Sequence, residues 1–274
     1  MLPAEAEVYY TYVHLNRITF PGQSGRWTVF PGMTCEEISA GLDAVVMQVL
    51  EQAGIYEPPV DAFVLARSLR ITVAEDERQQ GRARYVRLGG RRGRSMRATV
   101  LLRPEPRIER RHWALAHEIG EHVAHRVFAR LGTDPRETSP MAREAVASQM
   151  AGRLLVPTAW FGPDALAAGW DLLALKSRYA SASHELIARR MLEVPVPAII
   201  TVFDQGQLYF RRSNVPGRVP APSSAEVRCW QRVHDRGRPE RAADGLRTIQ
   251  AWPVHEEGWK REILRTEVEL EPAG

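Results

Sequence analysis

Cysteine is scarce in this sequence of 274 residues, which contains Cys35 and Cys229 and no third. Two cysteines exclude a small domain stapled by several disulfides and a zinc module with four cysteine ligands. We interpret both as free thiols, because unpaired cysteine in soluble proteins is commonly buried. A reducing, cytoplasmic location is therefore expected.

Long hydrophobic runs are missing too. Residues 44–47 form one of the longest, far below the roughly 20 residues that a membrane-spanning helix needs. The first ten residues contain Glu5 and Glu7 but no lysine or arginine, so they do not resemble a signal peptide. We therefore expect no membrane partner.

Neither sign of charge dominates, since 37 Lys+Arg face 33 Asp+Glu. The positive excess is concentrated in residues 82–111, where glycines and arginines suggest a flexible tip. One interpretation is that Arg91, Arg92 and Arg94 bind a protein substrate or DNA phosphates. The other is a solvated hairpin in an arginine-rich protein. Aromatic residues for base stacking are absent there apart from Tyr85.

Apolar periodicity and turn residues predict an α+β fold with a small antiparallel sheet near residue 100. The predicted helices are 34–54, 61–69, 108–129, 140–155, 163–179 and 183–192. The predicted strands are 71–74, 85–88, 98–102, 198–203, 207–210, 246–252 and 263–270.

The helix predicted over 108–129 carries three histidines and two glutamates within nine residues, namely His117, Glu118, Glu121, His122 and His125. Helix positions four residues apart lie about 40° from each other, so their side chains can share one metal ion. A histidine followed directly by glutamate begins the active-site helix of zinc peptidases, where histidine binds the metal and glutamate is the general base.

Three metal geometries remain open on these residues. In a regular helix, His117 and Glu121 are ligands and Glu118 is the base, a set that tolerates iron or manganese as well as zinc. A one-residue π-bulge would instead pair His117 with His122. The third face combines Glu118, His122 and His125. The remaining alternative is a solvated helix face that binds no metal.

A third protein ligand is needed for a catalytic zinc site with an open position. Glu144 is the candidate, because it stands near the start of the helix predicted over 140–155, among small apolar residues. The alternative interpretation is a first-turn acid that the helix dipole favours.

Two stretches together resemble the ImmA/IrrE family of metallopeptidases. Residues 116–120 (AHEIG), after an arginine-rich lead-in, resemble its RFTLAHEIGH core. Residues 144–157 resemble its second motif, which ends Leu-Leu-Met-Pro where this chain has LLVP. Residues 60–66 and 71–73 are similar to the family's opening helix and strand, so the resemblance covers about 58–210.

The resemblance implies a zincin-like core and a zinc-dependent endopeptidase that cleaves a transcriptional repressor. Mn²⁺ or Fe²⁺ are the alternative cofactors that the two glutamate ligands allow. It implies His117 as first ligand, Glu118 as general base and Glu144 as third ligand. The second ligand falls on Glu121, where the family has histidine, and His122 is the substitute if the helix bulges. A rival hypothesis is a catalytically degenerate regulator that binds protein or DNA.

We divide the chain into five segments on this basis. Residues 1–57 are an unassigned N-terminal arm and helix, and 58–160 are the metallopeptidase-like core. Residues 161–212 form a helix-turn-helix-like unit with a hairpin, 213–224 a linker, and 225–274 an unassigned β-rich C-terminal extension. For the helix-turn-helix-like unit we favour packing or substrate docking over a DNA role, in which two arginines, Arg189 and Arg190, would contact phosphates.

Overall fold

A computed structural model describes residues 30, 32–79, 81–88, 97–134, 136, 138–245 and 247–268. Its α-helices are α1 (Cys35–Gln52), α2 (Ala62–Ser68), α3 (Ile108–Arg130), α4 (Pro140–Leu155), α5 (Thr158–Ala167), α6 (Leu172–Arg178), α7 (His184–Arg190) and α8 (Ser224–Arg236). Its strands are β1 (Thr72–Glu75), β2 (Ala83–Leu88), β3 (Arg97–Leu102), β4 (Ala198–Asp204), β5 (Gln207–Ser213), β6 (Glu240–Asp244), β7 (Arg247–Glu256) and β8 (Trp259–Glu267). The α+β prediction is therefore confirmed.

Local capping signals set the starts of the helices that matter most. Helix α1 begins with the predicted capping box, in which Thr34 and Glu37 satisfy each other's backbone N–H groups. Ser139 caps α4 and Pro140 occupies its first turn. Among the described helices, none has the length and apolarity to cross a bilayer.

The first sheet has the strand order β1-β3-β2 and lies beside α3. The predicted hairpin is confirmed, because β2 and β3 pair antiparallel. The prediction of an all-antiparallel sheet is wrong, however, since β1 runs parallel to β3. Apolar alternation carries no information on strand direction, which explains the error.

The second sheet has the order β5-β4-β8-β7-β6, and α8 packs on one of its faces. Strand β4 pairs with β8, so the hairpin 198–213 and the C-terminal strands belong to one antiparallel sheet. The predicted segments 161–212 and 225–274 therefore both contribute strands to this one sheet. That pairing joins segments about 60 residues apart, which local periodicity does not reveal.

Helices α5, α6 and α7 differ in part from the prediction. The sequence predicts one helix over 163–179, whereas α5 and α6 are separate helices. Ser183 caps α7 as predicted. Arg189 and Arg190 are 8% and 2% exposed, which contradicts their interpretation as phosphate contacts. The packing role is the one that the described side chains support.

One main hydrophobic core contains residues from segments that were assigned separately from the sequence. Leu42 and Val49 of α1 are buried together with Leu115 of α3 and Leu154 of α4. Helix α1 therefore belongs to the same core as the site-bearing helices. Both cysteines are free thiols as predicted. Cys229 of α8 is buried in a smaller cluster between that helix and the second sheet, and Cys35 is half-buried.

Gly120 sets the distance between α3 and α4. A Cβ at Gly120 would lie 2.6 Å from the carbonyl oxygen of Ala147. We expect Gly120→Ala to lower the free energy of unfolding by about 1–3 kcal/mol, because backbone atoms must move apart. Urea titration measures this change.

Gly152 of α4 provides the matched control. A Cβ there would find its nearest neighbour, Leu186 Cδ1, at an ordinary 3.5 Å. Gly152→Ala is expected to be neutral or to stabilise the protein by up to about 1 kcal/mol, through helix propensity. Equal losses in the two variants would contradict close packing at Gly120.

Candidate functional site

The antiparallel helices α3 and α4 bring His117 and Glu144 into direct contact. His117 Nε2 lies 3.3 Å from Glu144 Oε1. Two atoms that bind one tetrahedral metal ion at about 2.0–2.1 Å are about 3.4 Å apart, so this pair fits two positions of such a site. The two motifs that the sequence singled out separately therefore meet at one point.

His117 is oriented through its other ring nitrogen as well. Ser148, one helical turn after Glu144, places its hydroxyl 3.4 Å from His117 Nδ1. Burial opposes protonation of His117, but the hydrogen bond to Glu144 and the charges of Glu144 and Glu118 outweigh it and raise the pKa of His117. The imidazole is therefore held in an acidic environment with Nε2 directed at a carboxylate.

Glu118 is the buried acid of the site, with 7% of its surface exposed. Burial is the largest cause that raises the pKa of this carboxyl, and the charges of Glu121 and Glu144 add to it. The Tyr85 backbone N–H of β2 donates to the carboxylate and acts in the opposite direction, as does nearby His117. A carboxyl whose pKa lies above its usual range is suited to accept and return a proton.

His122 lies on a different side of α3 from His117. The helix is regularly α-helical through these residues, without a π-bulge, so positions 117 and 122 are about 140° apart. His122 Nδ1 lies 3.0 Å from the Tyr85 hydroxyl, and burial lowers the pKa of His122. The structure therefore does not bring His122 to Glu144.

The face that combines Glu118, His122 and His125 is not assembled either. His125 is exposed, and its Nδ1 lies 3.0 Å from the backbone oxygen of His122. Glu121 is also exposed. Within the described ranges, no three His, Cys, Asp or Glu side chains form a cluster that could hold a metal ion.

The structure adds two residues that the sequence analysis missed. Ser148 follows Glu144 by four residues, which puts both on one helix face, and this spacing was a usable signal. Tyr85 contacts both Glu118 and His122 from β2, which requires a tertiary contact that no local pattern shows. The predicted contacts Arg91, Arg92 and Arg94 lie outside the described residues.

Comparisons with known proteins add one finding about the fold. No family model and no curated protein matches this chain. A solved structure titled "Mycobacterium tuberculosis transcriptional regulator" is similar with a TM-score of 0.61 and 16% sequence identity. The similarity covers 83% of this chain and 75% of that one. At this identity it shows a shared fold.

Proposed function

We propose that this protein is a metal-dependent endopeptidase that acts on a regulatory protein. The observation that carries the proposal is the 3.3 Å contact of His117 with Glu144, beside the buried carboxyl of Glu118. His117 and Glu144 would hold a divalent ion, zinc first and manganese or iron as alternatives. Glu121 lies one turn after His117 and is exposed. It is the third donor, since an exposed glutamate can change its side-chain rotamer at little cost in free energy.

Each residue of the site has a distinct task in this proposal. A bound ion supplies Lewis acidity toward water and the substrate carbonyl. Glu118 takes the proton from the attacking water and returns it to the leaving amine. Ser148 holds His117 in the tautomer that leaves Nε2 free for a ligand.

The structural neighbour supports a regulatory setting for the substrate. That protein is named a transcriptional regulator. We therefore propose a transcriptional repressor as the protein that is cleaved. This choice is consistent with the family resemblance of residues 116–120 and 144–157.

A second candidate is a regulator without catalysis, which uses the peptidase-like core to bind protein or DNA. It is favoured by the exposed position of Glu121 and by the lack of a three-ligand cluster in the described ranges. Metal analysis of purified protein, with and without chelator, separates the two candidates. About one zinc, manganese or iron ion per chain supports the endopeptidase, and metal-free protein whose partner binding ignores chelators supports the regulator.

Restoring histidine at the second-ligand position is a direct test of the proposed metal site. Imidazole is a better zinc ligand than carboxylate, so we expect Glu121→His to bind zinc about tenfold more tightly or better. Competition against a fluorescent zinc chelator measures the affinity. Glu51→His on α1, which is also exposed, is the control for an added surface histidine. Unchanged affinity in Glu121→His would place the metal elsewhere.

A further inference from the structure

A cleft of about 1230 Å³ lies between the α3–α4 helix pair, α7 and the second sheet. Trp113 of α3, Gly152 of α4 and Leu186 of α7 line it, whereas His117 and Glu144 do not. Pockets for small ligands hold about 300–1000 Å³, so this cleft has room for a sizeable organic molecule. It is a candidate binding site in addition to the one that His117 and Glu144 form.

An apolar wall forms in the cleft where α4 has a glycine. A Cβ at Gly152 would lie 3.5 Å from Leu186 Cδ1 and 3.9 Å from Trp113 Cζ3, so both side chains converge over this glycine. Leu155, at the end of α4, also lines the cleft. Water is displaced from such surfaces at a gain in free energy when an apolar group covers them. The wall therefore predicts a ligand with an apolar body.

Arg189 is the charged residue next to this wall. It follows Leu186 by three residues on α7, a spacing that makes two helical residues neighbours. Its side chain is 8% exposed, its guanidinium carbon lies 4.1 Å from the centroid of the Phe210 ring, and its Nη2 lies 2.5 Å from Glu185 Oε1. Its Nε has no hydrogen-bond partner among the described residues. The guanidinium is thus held in place with one donor still to be satisfied.

Guanidinium nitrogens are the majority of the buried polar atoms in the cleft lining that lack a hydrogen bond within the described ranges. They include Arg189 Nε and Arg190 Nη1, although Glu193 balances the charge of Arg190. The acceptor in this group is Asp204 Oδ1, and Arg261 pairs with the other oxygen of that carboxylate. A buried donor without a partner is costly, and a ligand that satisfies it gains correspondingly. A carboxylate is the acceptor that fits a guanidinium best.

The charge balance of the cleft limits the ligand to a small negative charge. Six arginines and five acids line the cleft, and most of these form ion pairs with each other. Glu185, for example, is shared by Arg189 and Arg261. A polyphosphate or a run of nucleic-acid phosphates would be repelled by the acids, whereas one carboxylate at Arg189 needs only a single donor group. The cleft therefore favours a monoanion.

The cleft adjoins the candidate site through α3 and α4. Ser148 lines the cleft one helical turn before Gly152, and its hydroxyl lies 3.4 Å from His117 Nδ1. Trp113 precedes His117 by one turn of α3. A ligand on the apolar wall therefore lies one helical turn from the residue that orients His117.

We propose that this cleft binds an apolar organic acid, with its carboxylate on Arg189 and its apolar body against Leu186 and Trp113. Helix α7, part of the helix-turn-helix-like unit, supplies the anchor for the carboxylate. Binding itself does not depend on a metal ion or on the proposed endopeptidase function. A bound acid lies beside Ser148 and is placed to act as an effector of the neighbouring site.

Displacement of a fluorescent probe tests the proposal. The reporter is anilinonaphthalenesulfonate, an apolar monoanion, and the competitors are decanoate, decanamide and acetate. Decanamide has the shape of decanoate without its charge, and acetate has the charge without the apolar chain. With wild-type protein in chelator, we expect decanoate to displace the probe at concentrations at least about tenfold lower than either of the other two.

Opposite charges at one position locate the anchor. Leu186 is half-buried, so Leu186→Glu and Leu186→Lys remove the same apolar contact but place opposite charges beside Arg189. We expect Leu186→Glu to bind decanoate at least about tenfold more weakly than Leu186→Lys. Leu173 of α6 is 38% exposed and does not line the cleft. Leu173→Glu and Leu173→Lys are the matched controls and should bind decanoate alike.

Replacing the anchor itself gives a second test. Arg189→Gln should weaken decanoate binding at least about tenfold and leave decanamide binding unchanged, because the amide does not need the positive charge. The change also takes one cationic partner from Glu185, so urea titration checks that the variant is folded. Where it is not folded, the comparison of the two Leu186 variants decides.

The inference is overturned if decanoate fails to displace the probe, if decanamide displaces it equally well, or if the two Leu186 variants bind decanoate alike. Selective binding of decanoate by a protein that holds no metal and cleaves no peptide would refute the endopeptidase and leave the cleft assignment standing. Metal-dependent cleavage without any preference for the acid in the cleft would do the reverse.

Discussion

Replacing Glu118 by glutamine is expected to lower the rate of metal-dependent peptide cleavage about 10²–10⁴-fold, the usual contribution of a positioned general base. Glutamine keeps the shape of the side chain but has no basic oxygen that can take a proton from water. Cleavage is measured on a diverse library of proteome-derived peptides, in which mass spectrometry identifies the new termini whatever the substrate sequence.

The fold of the Glu118→Gln variant should be unharmed. Burial raises the pKa of Glu118, so the ionised carboxylate destabilises the native state and the neutral amide relieves that cost. We expect a free energy of unfolding equal to wild type or higher, together with lost activity. Glu51→Gln on the exposed face of α1 is the control and should keep full activity.

A wild-type rate in Glu118→Gln would exclude Glu118 as the base. A variant that is both inactive and less stable would point to a structural role instead. Loss of cleavage with gain of stability is the pattern expected where a site is selected for chemistry at the expense of packing.

Local chemistry explains why the site could be predicted in part. The bounds of α3 and α4 follow from apolar spacing, the Ser139 cap and the stop at Pro157. Helix periodicity then puts Glu121 on the face of His117 and turns His122 away. In a regular α-helix, position 121 lies on the face of position 117 and position 122 does not. The choice between Glu121 and His122 as the second ligand therefore depended on whether the helix contains a π-bulge, and it contains none.

Long-range packing explains what the sequence could not predict. The pairing of β4 with β8 and the cleft beside it depend on contacts between distant segments. Helix α8 lies in the extension for which the sequence analysis predicted strands and no helix, although the Ser223–Glu226 capping box is a readable start signal. Tyr85 reaches Glu118 only because β2 lies against α3, a tertiary contact without a local signature.

A buried network of ion pairs around Glu193 should contribute strongly to the free energy of unfolding. Glu193, just before β4, accepts from Arg153 of α4 and pairs with Arg190 of α7. Asp43 of α1 contacts the same Arg153 at 3.4 Å. The Glu193 carboxylate therefore ties its own segment to α4 and α7, and Arg153 extends the network to α1 through Asp43.

Glu193→Gln is expected to lower the free energy of unfolding by about 3–5 kcal/mol, because it leaves two buried guanidinium groups short of a counter-charge. Glu75→Gln is the matched control, since the Arg111–Glu75 pair is half exposed at 2.9 Å and should contribute less than about 1 kcal/mol. Chemical denaturation at neutral pH compares the two variants. Similar small losses would mean that Arg153 and Arg190 find sufficient partners elsewhere.

The lowered pKa of Glu193 predicts how the free energy of unfolding changes with pH. Burial opposes ionisation of Glu193, but the charges of Arg190 and Arg153 outweigh it and lower its pKa from 4.5 to about 2. A carboxyl with a lowered folded-state pKa stabilises the native state above its unfolded pKa. That contribution, about 3 kcal/mol, is lost as the pH falls from about 5 to about 2.

Comparing wild type with Glu193→Gln separates the contribution of Glu193 from the destabilisation that acid causes through all other carboxyl groups. Wild type should lose about 2 kcal/mol more than Glu193→Gln between pH 7 and pH 3, because glutamine has no proton to take up. Denaturation curves at both pH values, recorded for the two proteins in parallel, give this difference directly. Parallel losses would show that Glu193 titrates alike in the folded and unfolded chains, and that its two arginines do not hold it ionised.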